Sequence, residues 1–336
     1  MTAPSDASYR YNMTIKMFGA DPEPAFETPE QQAAVWGRPW GCDNDVGRLR
    51  LVLLHRPGDE MDVVDPSKRI EEIGSYGDPE AGWYWQSDTV PPVSEMQAQH
   101  DGLVEALRNE GVEVAFLDGV GDGRLKSCYT RDSAIAIRGG AVVCRMGPKV
   151  RRGEEAVATR TLAGLGMPIL RTIHGSDLLE GGSFAWINPK TAVVGRSIRV
   201  NEEGARQLAE VLATQGVELL RVDLSGYDLH IDGAFVMIDV DTAMVDPGAL
   251  PYGFLEKLTE LGVRTVEITP ADDPWIINCL AVRPGRIIMP ESASNRTLDR
   301  LAALDIETVT LPYDKMALNG GGIHCSTCPL VRDRVD

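Results

Sequence analysis

Apolar positions along this chain change their spacing in a regular cycle. A stretch with helical spacing gives way to a short strand-like run, then a loop, then an apolar pair of strands, and the order repeats. The short runs read GVEVAFLD from Gly111, GMPILRT from Gly166, GVELLRVD from Gly216, GVRTVEIT from Gly262 and DIETVTLP from Asp305. Four of the five preceding helices therefore stop at a glycine, which takes a left-handed C-cap without steric cost. The apolar pairs occupy 133–146, 183–197, 233–246 and 278–291 and predict hairpins. The unit recurs roughly every 45 to 50 residues, a period typical of propellers and other closed arrays. A fifth hairpin is expected from 322–330 paired with 49–54, which would close the ring. The predicted fold is α/β, a five-bladed α/β propeller with pseudo-fivefold repeats.

A length of 336 residues would admit two domains, but the continuous repeat predicts one, spanning 47–336. Residues 1–46 form an N-terminal extension without a clear periodic element. Residues 58–95 form an insertion that is longer than a tight connection needs and carries Trp83, Tyr84 and Trp85. Two readings stand for it: a lid over one mouth of the ring, or packing against the N-terminal extension.

The repeat also orders the polar residues, because every hairpin is entered at the same end of the ring. That slot holds Asp132, then Glu180, then His230 with Asp232, then Asp272, Asp273 and Asn278, and finally His324 with Cys325. Acids, a histidine and a thiol are thus expected to converge on one axial mouth. Taken singly, each has a plainer reading. Asp132 could pair with its neighbour Arg131 at the surface, Glu180 could shape the turn at Gly181 and Gly182, and His230 could be a satisfied core group.

Composition narrows the partners. No apolar run approaches a membrane span, and the start MTAPSDASYR lacks a basic and apolar leader, so a cytoplasmic location is expected. The formal net charge of −17 argues against nucleic acid and anionic membranes and favours the approach of a cation. Six cysteines without a secretion signal do not read as a disulfide framework. Cys325 and Cys328 form a Cys-x-x-Cys pair beside His324, but no second such pair or His cluster completes a zinc site, so neither metal nor cofactor is expected. Cys144 and Cys279 read as small core residues.

The pieces YTRD ending at Asp132, RMGPKVRRGEE from Arg145, LEGG from Leu179, GRSIRVNEEGA from Gly195, LHIDGAF from Leu229 and GGGIHC ending at Cys325 stand in an order that resembles one superfamily. The chain is similar to the guanidino-group modifying enzymes, or penteins, which include arginine deiminases, dimethylarginine dimethylaminohydrolases and amidinotransferases. By that resemblance Cys325 matches the nucleophile and His230 the general acid and base. Asp132 and Glu180 match the acids that clasp the guanidinium, and Asp232 matches the acid that contacts the substrate or holds the histidine. Arg145 and Arg199 match positions that bind the substrate carboxylate, the alternative being solvated strand ends. Asn319 and the glycines at 320–322 are expected to form a flexible loop delivering Cys325. One departure stands out: relatives commonly read Glu-Gly-Gly-Asp where this chain has Ser183 as the fourth residue.

The chemistry accounts for these residue types without the family. Three nitrogens delocalise the guanidinium charge, so its carbon is a poor electrophile; it needs a soft nucleophile and fixed carboxylates that hold the planar cation in line. The resulting expectation is a cysteine-dependent hydrolase of arginine or an N-substituted arginine, giving a ureido product and ammonia or an amine. An amidinotransferase is the second reading, and a non-catalytic ring that binds a cationic ligand is the third. The oligomeric state is left open, a homo-oligomer being admitted.

Overall fold

The computed structural model describes residues 5–17, 28–121 and 123–335, so residues 1–4 and 18–27 of the expected N-terminal extension lie outside the described residues. Five three-stranded sheets surround a common axis. In four of them an antiparallel hairpin is followed by a helix and then by a third strand lying parallel to the hairpin's second: Ala134–Ile137, Gly140–Val143 and Ile169–Thr172 in the first. Phe184–Asn188, Thr191–Arg196 and Glu218–Asp223 make the second. Phe235–Asp239, Thr242–Val245 and Arg264–Glu267 make the third, and Leu280–Arg283, Arg286–Pro290 and Glu307–Leu311 the fourth. The fifth joins the two ends of the chain. Cys328–Arg332 runs antiparallel to Leu49–Leu54, which runs parallel to Glu113–Phe116. The ring closes as expected, although the terminal strand starts at Cys328 and residues 323–326 form a turn instead.

The middle strands explain the unbroken apolar runs. Residues 51–54, 141–143, 192–194, 243–245 and 287–289 are almost wholly inaccessible, so they have no solvent face that would call for alternating polar residues. The helices Val93–Asn109, Glu154–Gly164, Glu202–Ala213, Tyr252–Glu260 and Asn295–Ala302 connect each middle strand to its parallel neighbour.

All five helices stop in the same way. The amide of the left-handed residue donates to the carbonyl three back, and the next amide donates to the carbonyl five back, as in Gly111 to Arg108 and Val112 to Leu107. The carbonyl five back always belongs to a buried leucine, Leu107, Leu162, Leu212, Leu258 or Leu301. The residue after the left-handed one is likewise buried and apolar, Val112, Met167, Val217, Val263 or Ile306. In the fifth repeat Asp305 replaces glycine, and at φ 59° it is the one non-glycine residue with positive φ among the described residues. Asp305→Gly should therefore equal or exceed the parent in urea unfolding by up to about 1 kcal/mol, whereas Asp305→Val should lose about 1 to 2 kcal/mol.

The N-terminal segment does contain helices, Asp6–Arg10, Tyr11–Lys16 and Pro29–Trp36. The first two bury no side chain and the third buries only Gln32, so apolar spacing gave no sign of them. Pro29 at the third helix's start and Gly37 (φ 80°) at its end were the local signals available. In the insertion, Arg69–Ile70, Ser75–Asp78 and Trp83–Trp85 form a small antiparallel sheet. Trp83 and Trp85 are buried in the same apolar cluster as Tyr129, Tyr313 and Cys325, which leaves Tyr84 between them directed at the ring's mouth.

Candidate active site

Four of the five loops end in a short 3-10 turn just before the hairpin: Thr130–Ser133, Gly181–Ser183, Ile231–Gly233 and Pro274–Ile277. These turns, with the turn at 323–326, bring Asp132, Glu180, His230, Asp232, Asn278 and Cys325 to one cavity of about 200 Å³. A larger cavity of about 490 Å³, beside helix Pro29–Trp36 and the terminal strand, holds neither the thiol nor the imidazole, so the chemistry points to the smaller one.

Asn278 fixes the thiol. Its Oδ1 accepts from the Cys325 amide at 3.0 Å, and its Nδ2 donates to Cys325 Sγ at 3.2 Å. The Cys325 thiol faces Asp232 Oδ2 at 3.3 Å, and the same carboxylate oxygen lies 2.9 Å from His324 Nδ1. Gly322 is required by close approach, since a Cβ there would meet Asn278 Oδ1 at 2.7 Å. Burial, reinforced by the negative charge of Asp232 and Asp132, pushes the Cys325 thiol well above its usual range and keeps it protonated. Burial opposes ionisation of Asp232, but the bond to His324 and the charges of His324, His230 and Arg131 outweigh it and hold Asp232 below the usual carboxylate range.

His230 is gripped by two acids. Its Nε2 lies 2.7 Å from Glu180 Oε2, and its Nδ1 lies 3.5 Å from Asp132 Oδ1. Burial disfavours the imidazolium, yet Asp132, Glu180 and Asp232 together lift the pKa to about 9. Glu180 moves the other way: its burial is overcome by His230, Arg151 and Arg199, and it falls to about 2. At neutral pH the pair is imidazolium and carboxylate, so His230 carries a proton it can give up. Gly182 packs against the pair: its amide donates to Asp132 Oδ1 at 2.9 Å, and a Cβ there would meet that oxygen at 2.5 Å and His230 Nδ1 at 2.9 Å. Asp132, Glu180 and His230 also set three ligand-type atoms within 4.8 Å of one another. In this cluster Asp132 is paired with Arg151 and Glu180 with His230.

The structure gives each expected site residue its partners. Glu180 is engaged with His230, with the Gly147 amide at 2.7 Å and with Arg199 at 3.6 Å. Asp232 holds His324 and faces the thiol; no hydrogen bond joins it to His230. Asp132 is paired with Arg151, not with Arg131. Arg199 lines the cavity and donates to the Tyr84 hydroxyl at 3.3 Å. Arg145 does not line it; its backbone bridges Leu179 at the hairpin's end, outside the cavity wall. In the fourth slot only Asn278 reaches the cavity, because Asp272 caps Ser294 and Thr297 and Asp273 caps Trp275. Cys328 lies in the closing strand, and all six cysteines are free.

Ser183 also acquires a role. Its Oγ donates to the Leu229 carbonyl at 3.4 Å, and Ser197 Oγ donates to the same carbonyl at 2.6 Å, so two hydroxyls steady the residue before His230. A carboxylate at 183 would put an acceptor against an acceptor there. Arg151, Glu154 and Lys126 were missed from the sequence. Arg151 donates to Asp132, to Glu154 at 2.8 and 3.0 Å, and to the Tyr129 carbonyl at 3.0 Å. Its only sequence signal is the spacing Arg151 to Glu154 within the RMGPKVRRGEE segment.

Comparisons with known proteins bear on the family and the fold. A sequence model of the family described as "N,N dimethylarginine dimethylhydrolase, eukaryotic" matches residues 90–332. The chain is 26% identical to the uncharacterized protein YkgA of Bacillus subtilis, over 87% of this chain and 95% of that protein. It is 22% identical to the arginine deiminase of Rhodococcus erythropolis, covering 88% and 98%. Among solved structures, the dimethylarginine dimethylaminohydrolase of Pseudomonas aeruginosa in complex with citrulline superposes with a TM-score of 0.67 at 20% identity, covering 84% of this chain and 99% of that one. An amidinotransferase of Microseira wollei gives 0.70 at 13% identity, covering 88% and 98%; at such identities the likeness speaks for the fold alone. The family match, the five closed blades and the residues they bring to the axis lead to one assignment: this chain is a pentein and belongs to the N,N-dimethylarginine dimethylhydrolase family.

Proposed function

We propose that this protein is a cysteine-dependent hydrolase of arginine or an N-substituted arginine. The observation that carries the reading is the shared cavity in which the Cys325 thiol, held by Asn278, faces the same space as a protonated His230. The family's relatives include enzymes named for hydrolysis of amidine carbon–nitrogen bonds, which supports the same class.

The steps balance on the residues present. A guanidinium beside the thiol opposes the burial and the two aspartates that hold its proton, and that proton leaves toward Asp232, the carboxylate it already faces. The thiolate adds to the guanidinium carbon. The carbon–nitrogen bond to the leaving amine breaks as His230 donates its proton to that nitrogen, which leaves an amidino thioether on Cys325. His230, now neutral and still oriented by Glu180, takes a proton from water. The hydroxide adds to the same carbon and the carbon–sulfur bond breaks, so the sulfur leaves as the Cys325 thiolate and takes its proton back from Asp232; the new hydroxyl gives its proton to bulk water and the ureido product departs.

A guanidino compound supplied without any added amine should therefore yield a ureido product at the full rate, read by chromatography and mass spectrometry. Dependence on an amine acceptor would move the protein to the amidinotransferase reading. Binding without an adduct or a product would move it to the non-catalytic one. The pH profile should show an alkaline limb near 9 in kcat/KM, as His230 loses the proton it donates. Replacing His230 by Asn should abolish that limb together with most of the activity.

A further inference from the structure

The cavity of about 490 Å³ lies at the other end of the ring. The strand that follows Asp132, Ala134–Ile137, runs from the mouth to Arg138, and the closing strand Cys328–Arg332 runs from the turn at Cys325 to Arg332. Arg138 and Arg332 both line this cavity, so it stands a strand's length from the thiol, about 13 Å for four residues. Helix Pro29–Trp36 and the segment at Trp40 supply the remaining walls. The Gly41 and Gly139 amides hold that segment to the two strand ends, donating to the Leu330 and Trp40 carbonyls at 3.0 Å each.

In a chain of net charge −17, five arginines line this one cavity. Three of them are paired: Arg50 with Asp333 at 2.6 Å, Arg38 with Glu113 at 3.1 Å and Arg334 with Asp43 at 3.7 Å. Arg138 and Arg332 have no ion pair among the described residues, and their bonds go to neutral groups. Arg332 donates to the Gly47 and Ala281 carbonyls at 2.7 and 2.8 Å, and Arg138 to the two oxygens of Gln215 at 3.1 and 3.3 Å. Burial brings Arg332 down to about 10, opposed by Cys42 and Asp45 and reinforced by Arg131, so at neutral pH it is a cation. Two buried donors are left over as well. Arg332 Nε and Gln32 Nε2 have no hydrogen-bond partner among the described residues, and the two side chains belong to residues 6% and 2% exposed. A buried donor without a partner destabilises a fold, so two beside one cavity, with two unpaired guanidiniums, are accounted for by an anionic acceptor.

We propose that this cavity binds a small organic anion, with a carboxylate or phosphate head held by Arg138, Arg332 and the Gln32 amide and an apolar body against Pro39, Trp40 and Val331. A guanidinium fork matches either head, and the volume is that of a small-molecule site and more than an inorganic ion fills. The site is separate from the mouth and does not rest on the reading of Cys325.

The test is calorimetry on the full chain at low salt with three probes of similar shape: benzoate, phenyl phosphate and the neutral benzamide. At least one acid should bind once per chain and roughly tenfold to 150-fold more tightly than benzamide, the usual worth of a hydrogen bond to a charged group. The tighter of the two acids identifies the head. Arg138→Met should weaken that acid about tenfold or more while leaving benzamide, and guanidino turnover at the mouth, within twofold. Gln32→Leu should also weaken the acid, yet raise the urea midpoint of the free chain, because an apolar group replaces an unpartnered buried amide. These two variants carry the test, since Arg332→Met would also release the Gly47 and Ala281 carbonyls. Equal affinity for acids and benzamide would show an apolar gap and overturn the site. An acid affinity unchanged in both variants would place the anion elsewhere on the chain and do the same. So would an Arg138→Met chain whose turnover falls in step with its acid binding, because the acid would then sit at the mouth.

Discussion

Cys325→Ala should remove turnover altogether, a fall of about 10⁴-fold or more, while Cys328→Ala should keep most of it. The two cysteines are three residues apart and differ in what surrounds them. Cys325 closes one wall of the cavity, receives the Asn278 amide and faces Asp232. Cys328 begins the strand that closes the ring, and its thiol donates to the Ala134 carbonyl at 3.3 Å. Its removal should cost stability, about 1 to 2 kcal/mol for a small buried side chain, without touching the reacting atoms. Among the described residues that line the cavity the thiol is the one soft nucleophile, and the harder Lys126 amine and tyrosine hydroxyls do not replace it for addition to a guanidinium carbon. Urea unfolding of both variants separates lost chemistry from lost fold. Rapidly quenched parent enzyme should carry the amidino mass on the peptide containing Cys325. A Cys328→Ala variant as inactive as Cys325→Ala, yet equally stable, would sink the assignment and favour a paired-thiol mechanism.

The difference between these two cysteines also shows what the sequence could and could not disclose. The fold was legible because it is written five times. Helix, left-handed cap, parallel strand, loop and hairpin recur with the same residue types, and even the departure at Asp305 keeps the same two capping bonds. The identities at the axial mouth were legible for the same reason, since each blade offers one slot. Their partnerships were not. Glu180 reads from the sequence as clasping a ligand or shaping a turn and Asp232 as contacting the substrate or holding His230, whereas Glu180 lies against His230 and Asp232 against His324; only the relative rotation of neighbouring blades decides this, and no local pattern encodes it. Arg151 and Lys126 were invisible because charged residues outside the slots read as solvated surface, and their burial depends on contacts with residues as distant in sequence as Asn319. The insertion was visible as an excess of length and aromatic residues. That alternate tryptophans would anchor it and leave Tyr84 at the cavity follows from the period of two in a strand that the sequence did not mark as one.

Arg151→Met should be the most destabilising single change at the site, with a loss of about 3 to 5 kcal/mol at pH 8. The guanidinium is 4% exposed and is shared by Asp132 and Glu154, which are each 2% exposed. Removing it leaves two buried carboxylates with no cation of their own, a larger penalty than the net worth of the bridge itself. Burial already lifts Glu154 from 4.5 to about 7 even with Arg151 in place. The native state therefore holds that proton more tightly than the unfolded chain does, and the Glu154 contribution to stability falls as pH rises from 4.5 to about 7. Without Arg151 the upper end of this window moves higher, so the variant's deficit should grow from pH 5.5 to pH 8. Glu154→Gln keeps the bond between Arg151 and Asp132 and should lose less, with a flatter pH dependence. Activity should follow Asp132 in both. Its Oδ1 lies 3.5 Å from His230 and is held by the Gly182 amide, but Oδ2 is anchored by Arg151, so losing that anchor frees the carboxylate to turn away from the imidazole. Arg151→Met should then lower kcat even at pH 5.5, where it remains folded. A variant as stable as the parent, or a deficit equal at both pH values, would show that Asp132 and Glu154 find other partners and that Arg151 does not set the geometry at His230.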